Sequence, residues 1–291
     1  MRRILLFPLT LLLFSTLSPA EPSTTLAPPA ANSSGSWSPL YHGVAIRHDR
    51  REEPRLLRIT TVRVDLAAEG VELFVTPGNG DQPKEDHLRR TSSFLEEFDL
   101  EVALNATGFH PVAAEGTAVD IIGLSLSEGE VVSEVQRDAP VFYLDAKGKA
   151  RITAAPFAPG QFAGARLAVQ GWYGAKGMLL DEGEVVTEAV DVHPRSALGV
   201  DREGRFVYLV TFDGRRKGYS LGADLPEMAR FFQELGCWQA MNLDGGGSTT
   251  LVVKDPVSGE ATFANRPSGS GERAVGNHLG VQAVPEAKTG H

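Results

Sequence analysis

The chain has 291 residues and a formal net charge of −9 at pH 7. It is long enough for one large domain with a sizeable core, and its negative charge disfavours nucleic acid as a partner. It contains one cysteine, Cys237, so an internal disulfide is excluded, and with few histidines a zinc site is not expected.

The first residues have the pattern of a targeting segment. Arg2 and Arg3 precede an apolar run over 4–17, which ends at the small residues of Ser18-Pro19-Ala20. This is typical of a cleaved secretory signal peptide, here over 1–20. We therefore predict an exported protein, periplasmic or extracellular.

The next segment predicts where the folded domain begins. Residues 21–36 are rich in Pro, Ala, Ser and Thr, which is typical of a disordered linker. We predict one domain over 37–285, followed by a flexible tail over 286–291. No stable membrane anchor is expected after cleavage, and the sequence does not define an oligomeric state.

Strands dominate the first two thirds of this domain. Alternating runs predict strands over 41–47, 56–66, 71–76 and 102–105, and turn tips separate a largely antiparallel meander over 120–212. A short helix is expected before the fourth strand, capped by Ser93 with Glu96 three residues on.

A longer helix follows the meander. Asp224 and Glu227 form a capping pair, apolar residues recur on one face as far as Leu235, and Gly236 ends the helix. Two helices against many strands predict an α+β fold in a single domain, with a mixed, largely antiparallel β framework.

The helix leads into a strand that stops at a glycine-rich turn. The segment reads CWQAMNLDGGGSTTLVV over 237–253. Glycines let the backbone approach another molecule closely, so amide N–H groups there could point at an anion. Asn242 and Asp244 share one face of the strand and reach the mouth of the turn. An ordinary β-turn capped by Asp244 is the alternative.

Polar clusters lie at the ends of several other apolar runs. Each cluster on its own is weak evidence for a functional site. They are Asn105 with Phe109 and His110, His193-Pro194-Arg195-Ser196, Asp213-Gly214-Arg215, the turn itself, and Gly271-Glu272-Arg273.

In this order, the clusters resemble a known family. The strings HPRSALGVD, LVTFDGRRKG, GADLPEMARFFQELGCWQAMNLDGGGSTTLVV, NRPSG and GERAVGNHLGV closely resemble the phosphodiester glycosidase family. The resemblance is strong over 193–282 and weaker but collinear over 37–192. Two departures stand out: the family often has a second aromatic where His110 stands, and threonine is common at Ser196.

The resemblance implies a hydrolase that removes a sugar from a phosphodiester. Phosphate needs charge neutralisation, which arginine supplies through its planar fork. The expected ligands of substrate and phosphate are Arg195, Asn105, Arg215, Asn242, Gly245, Gly246, Gly247, Ser248, Thr249 and Arg273.

A carboxylate is also required, to activate water or attack the sugar. Asp244 and Glu272 are the candidates, and Asp213 is a third that would act or only orient Arg215 or Arg195. Glu272 has an alternative role, an ion pair with Arg273 or Arg266 on a surface loop.

Other functions remain open at this stage. An ordinary glycosidase on the same scaffold is one, and a non-catalytic module that binds phosphorylated or anionic glycans is another. No cofactor is expected. Asp side chains and carbonyls could hold a structural Ca²⁺, but no Asp-x-Asp-x-Asp-Gly spacing occurs.

Overall fold

The longest strands lie in one antiparallel sheet that carries much of the candidate site. The computed structural model describes residues 35–136, 138–172 and 174–286, and the fold is described for those residues. Within them this sheet has eight strands. Their spatial order is β1 (Ser38–Tyr41), β2 (Val44–Arg51), β3 (Leu57–Asp65), β17 (Phe206–Phe212), β16 (Arg195–Val200), β18 (Gln239–Asn242), β14 (Met178–Asp181) and β15 (Glu184–Val185).

Smaller antiparallel sheets complete the β framework. The first contains β10 (Glu130–Ser133), β9 (Ser125–Ser127), β13 (Leu167–Gln170), β11 (Val141–Leu144) and β12 (Ala150–Thr153). The second contains β20 (Ala261–Phe263), β19 (Leu251–Lys254), β6 (Val102–Asn105), β21 (His278–Gln282) and β4 (Glu72–Val75). The third contains β5 (Asp86–His87), β8 (Ala118–Ile121) and β7 (Phe109–His110).

The eight-stranded sheet is covered on both faces, which explains the apolar runs in its central strands. On one face, Leu198 of this sheet shares a core with residues of the smaller sheets, among them Leu104 and Val169. The other face packs under the longer helix, where Phe232 and Ala240 are fully buried. Strands buried on both faces lose the polar alternation of half-exposed strands.

The longer helix, α2 (Leu225–Glu234), begins and ends as the sequence predicts. The Asp224 carboxylate accepts a hydrogen bond from the Glu227 amide at 2.8 Å, and Glu227 accepts one from the Asp224 amide at 2.9 Å. Gly236 follows with a φ of +81°, in the left-handed region that glycine favours. The capping pair is therefore confirmed.

The shorter helix, α1 (Thr91–Glu97), is capped differently from the prediction. Arg90 is the N-cap residue, and Ser93 lies inside the helix, so the predicted Ser93–Glu96 capping pair is wrong. Carboxylates distant in sequence bind the first amides instead: Glu115 accepts from Arg90 N at 3.0 Å, and Glu272 accepts from Ser92 N at 2.9 Å. Local spacing contains no signal for such partners.

The predicted fold class is confirmed. Each pairing between the described strands is antiparallel, and within the same residues α1 and α2 are the α-helices of an α+β domain. None of the helices that the structure describes is both long and apolar enough to span a membrane. The predicted signal peptide and most of the predicted linker and tail, over 1–34 and 287–291, lie outside the described residues.

Candidate active site

The site forms where strands of two sheets end side by side. β16 and β18 pair in the eight-stranded sheet, with Ala197 opposite Asn242. β6, from a neighbouring sheet, ends at Asn105, and the Asp244 amide just beyond β18 donates to the Ala106 carbonyl at 3.0 Å. The three strands therefore bring their polar ends together, although they are far apart in sequence.

Asn105 connects these strand ends. Its Nδ2 donates to the Asp244 carbonyl at 2.7 Å, and its Oδ1 accepts from the Ser196 hydroxyl at 2.6 Å and the Thr250 amide at 3.1 Å. The sequence suggested a substrate ligand here. In the structure the buried amide is engaged with protein groups, and it positions the backbone of Asp244.

Asp244 lies at the centre of these contacts. Burial raises the pKa of its carboxyl to about 6, and the Ser248 hydroxyl, the positive charge of Arg273 and the Gly245 amide offset only part of this rise. The Ser248 hydroxyl is near, but its geometry falls short of a full hydrogen bond. A carboxyl with this pKa can exchange a proton close to neutral pH.

The glycines of the turn make room for arginine side chains. Gly246 has a φ of +65°, and a Cβ there would lie 3.2 Å from Nη2 of Arg215. A Cβ on Gly247 would lie 2.3 Å from Nη2 of Arg273, closer than atoms can approach. The Gly246 amide, expected from the sequence to face an anion, instead donates to the Pro194 carbonyl at 2.8 Å. The turn thus brings two guanidinium groups against its backbone, and the charge of Arg273 acts on Asp244.

Neither of these two arginines forms an ion pair among the described residues. Within the described residues neither Arg215 nor Arg273 has a carboxylate oxygen within 4.0 Å, and the polar contact of Arg215 is His193 Nδ1 at 3.5 Å. Burial, Arg195 and Arg215 lower the pKa of His193, which keeps the ring neutral. Two guanidinium groups beside a glycine turn are able to bind two oxygens of one anion.

Arg195 has a different environment from these two. Its residue is only 2% exposed, and its guanidinium donates to the Ala223 carbonyl at 3.3 Å and the Asp191 carbonyl at 2.6 Å. These contacts hold the segment before β16 against the start of α2. The sequence predicted a phosphate ligand at this position, and the structure adds a backbone-anchoring role.

Glu272 is held by the shorter helix. Its carboxylate accepts from Ser92 N at 2.9 Å and from Ser92 Oγ at 2.5 Å, and burial raises its pKa. Among the residues described, no ion pair joins it to Arg273 or Arg266, so neither alternative partner suggested by the sequence is used. The carboxylate serves as the N-terminal cap of α1.

Asp213 is surrounded by donors. It accepts from Asn265 Nδ2 at 2.9 Å, from the Arg266 amide at 3.1 Å and from the Tyr219 hydroxyl at 3.1 Å. Burial nevertheless raises its pKa to about 6. It contacts neither Arg215 nor Arg195, which the sequence offered as partners, and it fixes the Asn265 segment instead.

Comparison with known proteins places this arrangement in a family. A family model described as phosphodiester glycosidase matches residues 98–282, which is more than half of the chain. The chain belongs to the phosphodiester glycosidase family. The resemblance seen in the sequence is confirmed.

Individual relatives are more distant. The chain is 40% identical over 74 residues to mouse N-acetylglucosamine-1-phosphodiester alpha-N-acetylglucosaminidase, a match that covers 25% of this chain and 13% of the relative. A 37% match over 89 residues to the YomE protein of Bacillus subtilis, described as uncharacterized, covers 31% of this chain and also 13% of the relative. The matched segments therefore span a small part of either relative.

Solved structures share the fold. The catalytic domain of the zebrafish N-acetylglucosamine-1-phosphodiester alpha-N-acetylglucosaminidase, auto-inhibited by its pro-peptide, superposes with a TM-score of 0.62 at 20% identity, covering 86% of this chain and 85% of that one. A hypothetical protein from Synechocystis gives 0.61 at 16% identity, covering 83% and 62%. At these identities the likeness establishes the fold only.

Several polar side chains of this family member lie buried under the turn. Asn242 is fully buried, and both of its side-chain polar atoms lack a partner within the described residues. The same holds for the hydroxyls of Ser248 and Thr249, each 1% exposed. Buried polar groups are usually satisfied, so an orphaned set of this kind indicates water or a ligand group beside the turn.

Sequence reasoning did not single out several residues that organise the site. Asn265 links Asp213 to the turn, since its Oδ1 also accepts from the Leu251 amide at 2.7 Å. Asn265 is the first residue of the NRPSG string, one of the strings that resemble the family, so the sequence did contain a signal for it. Ser92 had no such signal, because its partner Glu272 is 180 residues away. Within the described ranges no three His, Cys, Asp or Glu side chains converge, and we assign no metal ligands.

The environment of Glu272 leads to a test of its role. We expect Glu272→Ala to lower the free energy of unfolding by about 1–2 kcal/mol, because the hydrogen bonds from the amide and the hydroxyl of Ser92 at the start of α1 are lost. Turnover should fall by less than about tenfold. Glu115→Ala is the matched control, because Glu115 caps the same helix from another segment. A loss of turnover restricted to the Glu272 variant, with stability retained, would instead make Glu272 catalytic.

Proposed function

We propose that this protein is an exported hydrolase that cleaves a sugar from a glycosyl phosphodiester of an envelope or extracellular glycan. One observation carries the proposal. Arg215 and Arg273 lie against Gly246 and Gly247 with no ion pair among the described residues, and these glycines are in the same turn as the Asp244 carboxyl, whose pKa is about 6. The two arginines that would bind the phosphate thus lie against the same turn that carries the carboxyl that would act on the sugar.

The chemistry of the substrate fits this set of groups. The bond that breaks joins the anomeric carbon to a phosphate oxygen, and water adds to that carbon, so the products are a free sugar and a phosphate monoester. A phosphate monoester has a second pKa of about 6, so it leaves without the protonation that a sugar alkoxide needs. Arg215 and Arg273 neutralise the charge that it acquires.

Asp244 then acts in its ionised form. It either takes a proton from the attacking water or attacks the anomeric carbon itself, and in both cases it stabilises an oxocarbenium-like transition state. Asn105 positions Asp244 by donating a hydrogen bond to its main-chain carbonyl at 2.7 Å. The buried groups of Asn242, Ser248 and Thr249 supply further donors under the turn.

The same observations weigh against the two other functions. A module that only binds anionic glycans gains nothing from a carboxylate beside its anion, because the two charges repel each other. An ordinary glycosidase needs a second carboxyl free to protonate the leaving group. Glu272 and Asp213, the other acidic candidates, accept hydrogen bonds from protein donors.

An activity screen tests the proposal. The protein without residues 1–20 is incubated with a panel of glycosyl phosphodiesters that differ in the sugar, and with nitrophenyl glycosides of the same sugars. We expect release of sugar and phosphate monoester from at least one diester, with much slower release of nitrophenol. Nitrophenyl glycosides cleaved in preference to every diester would favour an ordinary glycosidase, and binding without turnover would favour a binding module.

Export is a separate part of the proposal. It rests on the charge and apolar pattern of residues 1–20. The mass of the protein recovered from the periplasm or medium of its own host tests it, and a species that retains Met1 would contradict it.

A further inference from the structure

A tryptophan that has no role in the proposed mechanism packs on the backbone at the edge of the site. Trp172 follows β13, and its amide donates to the carbonyl of Asn242 at 3.0 Å. Its indole packs directly on Gly108, where a Cβ would lie 2.1 Å from the ring atom Cζ3. The ring is therefore seated on bare backbone just beyond the end of β6.

The backbone under this ring is hydrogen-bonded to the segment that carries Asp244. Asp244 is two residues after Asn242, and its amide donates to the carbonyl of Ala106, which is two residues before Gly108. Trp172 thus contacts both backbone segments that flank the Asp244 carboxylate. Within the chain Trp172 keeps part of its surface exposed.

The backbone around Trp172 is packed so closely that side chains at the neighbouring glycines would clash with it. A Cβ on Gly177 would lie 2.0 Å from the Trp172 carbonyl oxygen, and one on Gly171 would lie 2.6 Å from the Asn242 carbonyl oxygen. Glycines before, after and across from Trp172 therefore let the chain come close enough to hold the indole at this point. A large aromatic residue held in this way against the end of β18 is a preorganised surface.

We propose that the Trp172 indole is the platform for the sugar ring that is cleaved, and that it sets the sugar preference of the site. The inference rests on the proposed function and names the part of the substrate that this residue binds. The C–H face of a pyranose stacks on an aromatic ring, while its hydroxyl edge stays free for polar groups. The phosphate lies over Gly246 and Gly247 with Arg215 and Arg273, so Asp244 stands between the two halves of the substrate.

Kinetics of two variants test this assignment. Trp172→Ala should raise the KM for a glycosyl phosphodiester about tenfold, as expected for the loss of one aromatic contact, and Trp172→Phe should have a smaller effect. Inhibition by inorganic phosphate, which needs only the arginines, should be unchanged in both. Trp238→Phe is the matched control, because Trp238 packs under Arg202 at the opposite end of β18. An unchanged KM, or an equal loss of phosphate inhibition, would overturn the inference.

A binding measurement without turnover separates this inference from the proposed function. The chain has three tryptophans, so a protein with Trp37→Phe and Trp238→Phe retains Trp172 as its fluorescent reporter. We expect a saturable change of its emission with at least one free monosaccharide from a panel. If the protein hydrolyses a diester but no sugar changes the emission, the platform is wrong. If the emission responds but no diester is cleaved, only the proposed function fails.

Discussion

Asp244→Asn is expected to lower turnover of a glycosyl phosphodiester by at least about 10²-fold, while Tm at pH 7 stays unchanged or rises slightly. The loss is the lower end of that expected for a positioned acid–base or nucleophilic group. The asparagine has the same shape, and Asn105 binds the main-chain carbonyl of residue 244, so the backbone of the site should be retained.

The expected effect on stability follows from the direction of the pKa shift. The Asp244 carboxyl has a pKa of about 6 in the fold against 3.8 in a model compound, so the folded protein favours the neutral form. Its contribution to stability is therefore present at low pH and is lost as the pH rises from about 4 through about 6. An asparagine cannot ionise, and the variant escapes this loss at pH 7.

The pH profile gives the same residue a second signature. Because Asp244 acts in its ionised form, wild-type kcat/KM should decrease about tenfold for each pH unit below about 6. Asp213→Asn is the matched control, since Asp213 is also buried with a pKa of about 6. Its oxygens face several donors, one of which an asparagine would leave unpaired, so this variant should lower Tm and reduce turnover less than tenfold. If Asp213→Asn instead caused the large loss of turnover and Asp244→Asn mainly lowered Tm, Asp213 would be the catalytic carboxylate.

Replacing both Arg215 and Arg273 by alanine is expected to lower kcat/KM for phosphodiesters by at least about 10²-fold. Hydrogen bonds to charged groups contribute about 1.5–3 kcal/mol each, and the two arginines would share one anion. Inhibition by inorganic phosphate should weaken in parallel. Folding should be little affected, because neither side chain has a carboxylate partner within the described residues.

The arginine prediction has its own control. Arg202→Ala removes an exposed arginine that packs on Trp238, away from the turn, so it should leave both kcat/KM and phosphate inhibition unchanged. Arg195→Ala should instead lower Tm clearly, because it removes the donor to the Asp191 carbonyl and one of the two donors to the Ala223 carbonyl, which keeps the His193 amide. Unchanged phosphate inhibition in the Arg215/Arg273 double variant would contradict the proposed anion site.

Interactions between residues close in the chain define the framework of this protein. Periodicity and turn residues predicted the α+β class, and the Asp224 and Glu227 pair predicted the start of α2, because these signals act between residues close in the chain. Ordered motifs also identified the family and collected Asp244, Arg215 and Arg273 as candidates before any of them had a position in space.

Contacts between distant segments determine which side chains lie beside the glycine turn and which bind the backbone of the scaffold. Asn105 reaches Asp244 across 139 positions and Glu272 reaches Ser92 across 180, and no local pattern records contacts at such separations. The positive charge of an arginine is the same whether it binds a substrate or a backbone group, and so is the negative charge of a glutamate. Their partners are set by how β6, β16 and β18 come together, and so the fold makes Arg195 an anchor and brings Arg215 and Arg273 to the turn.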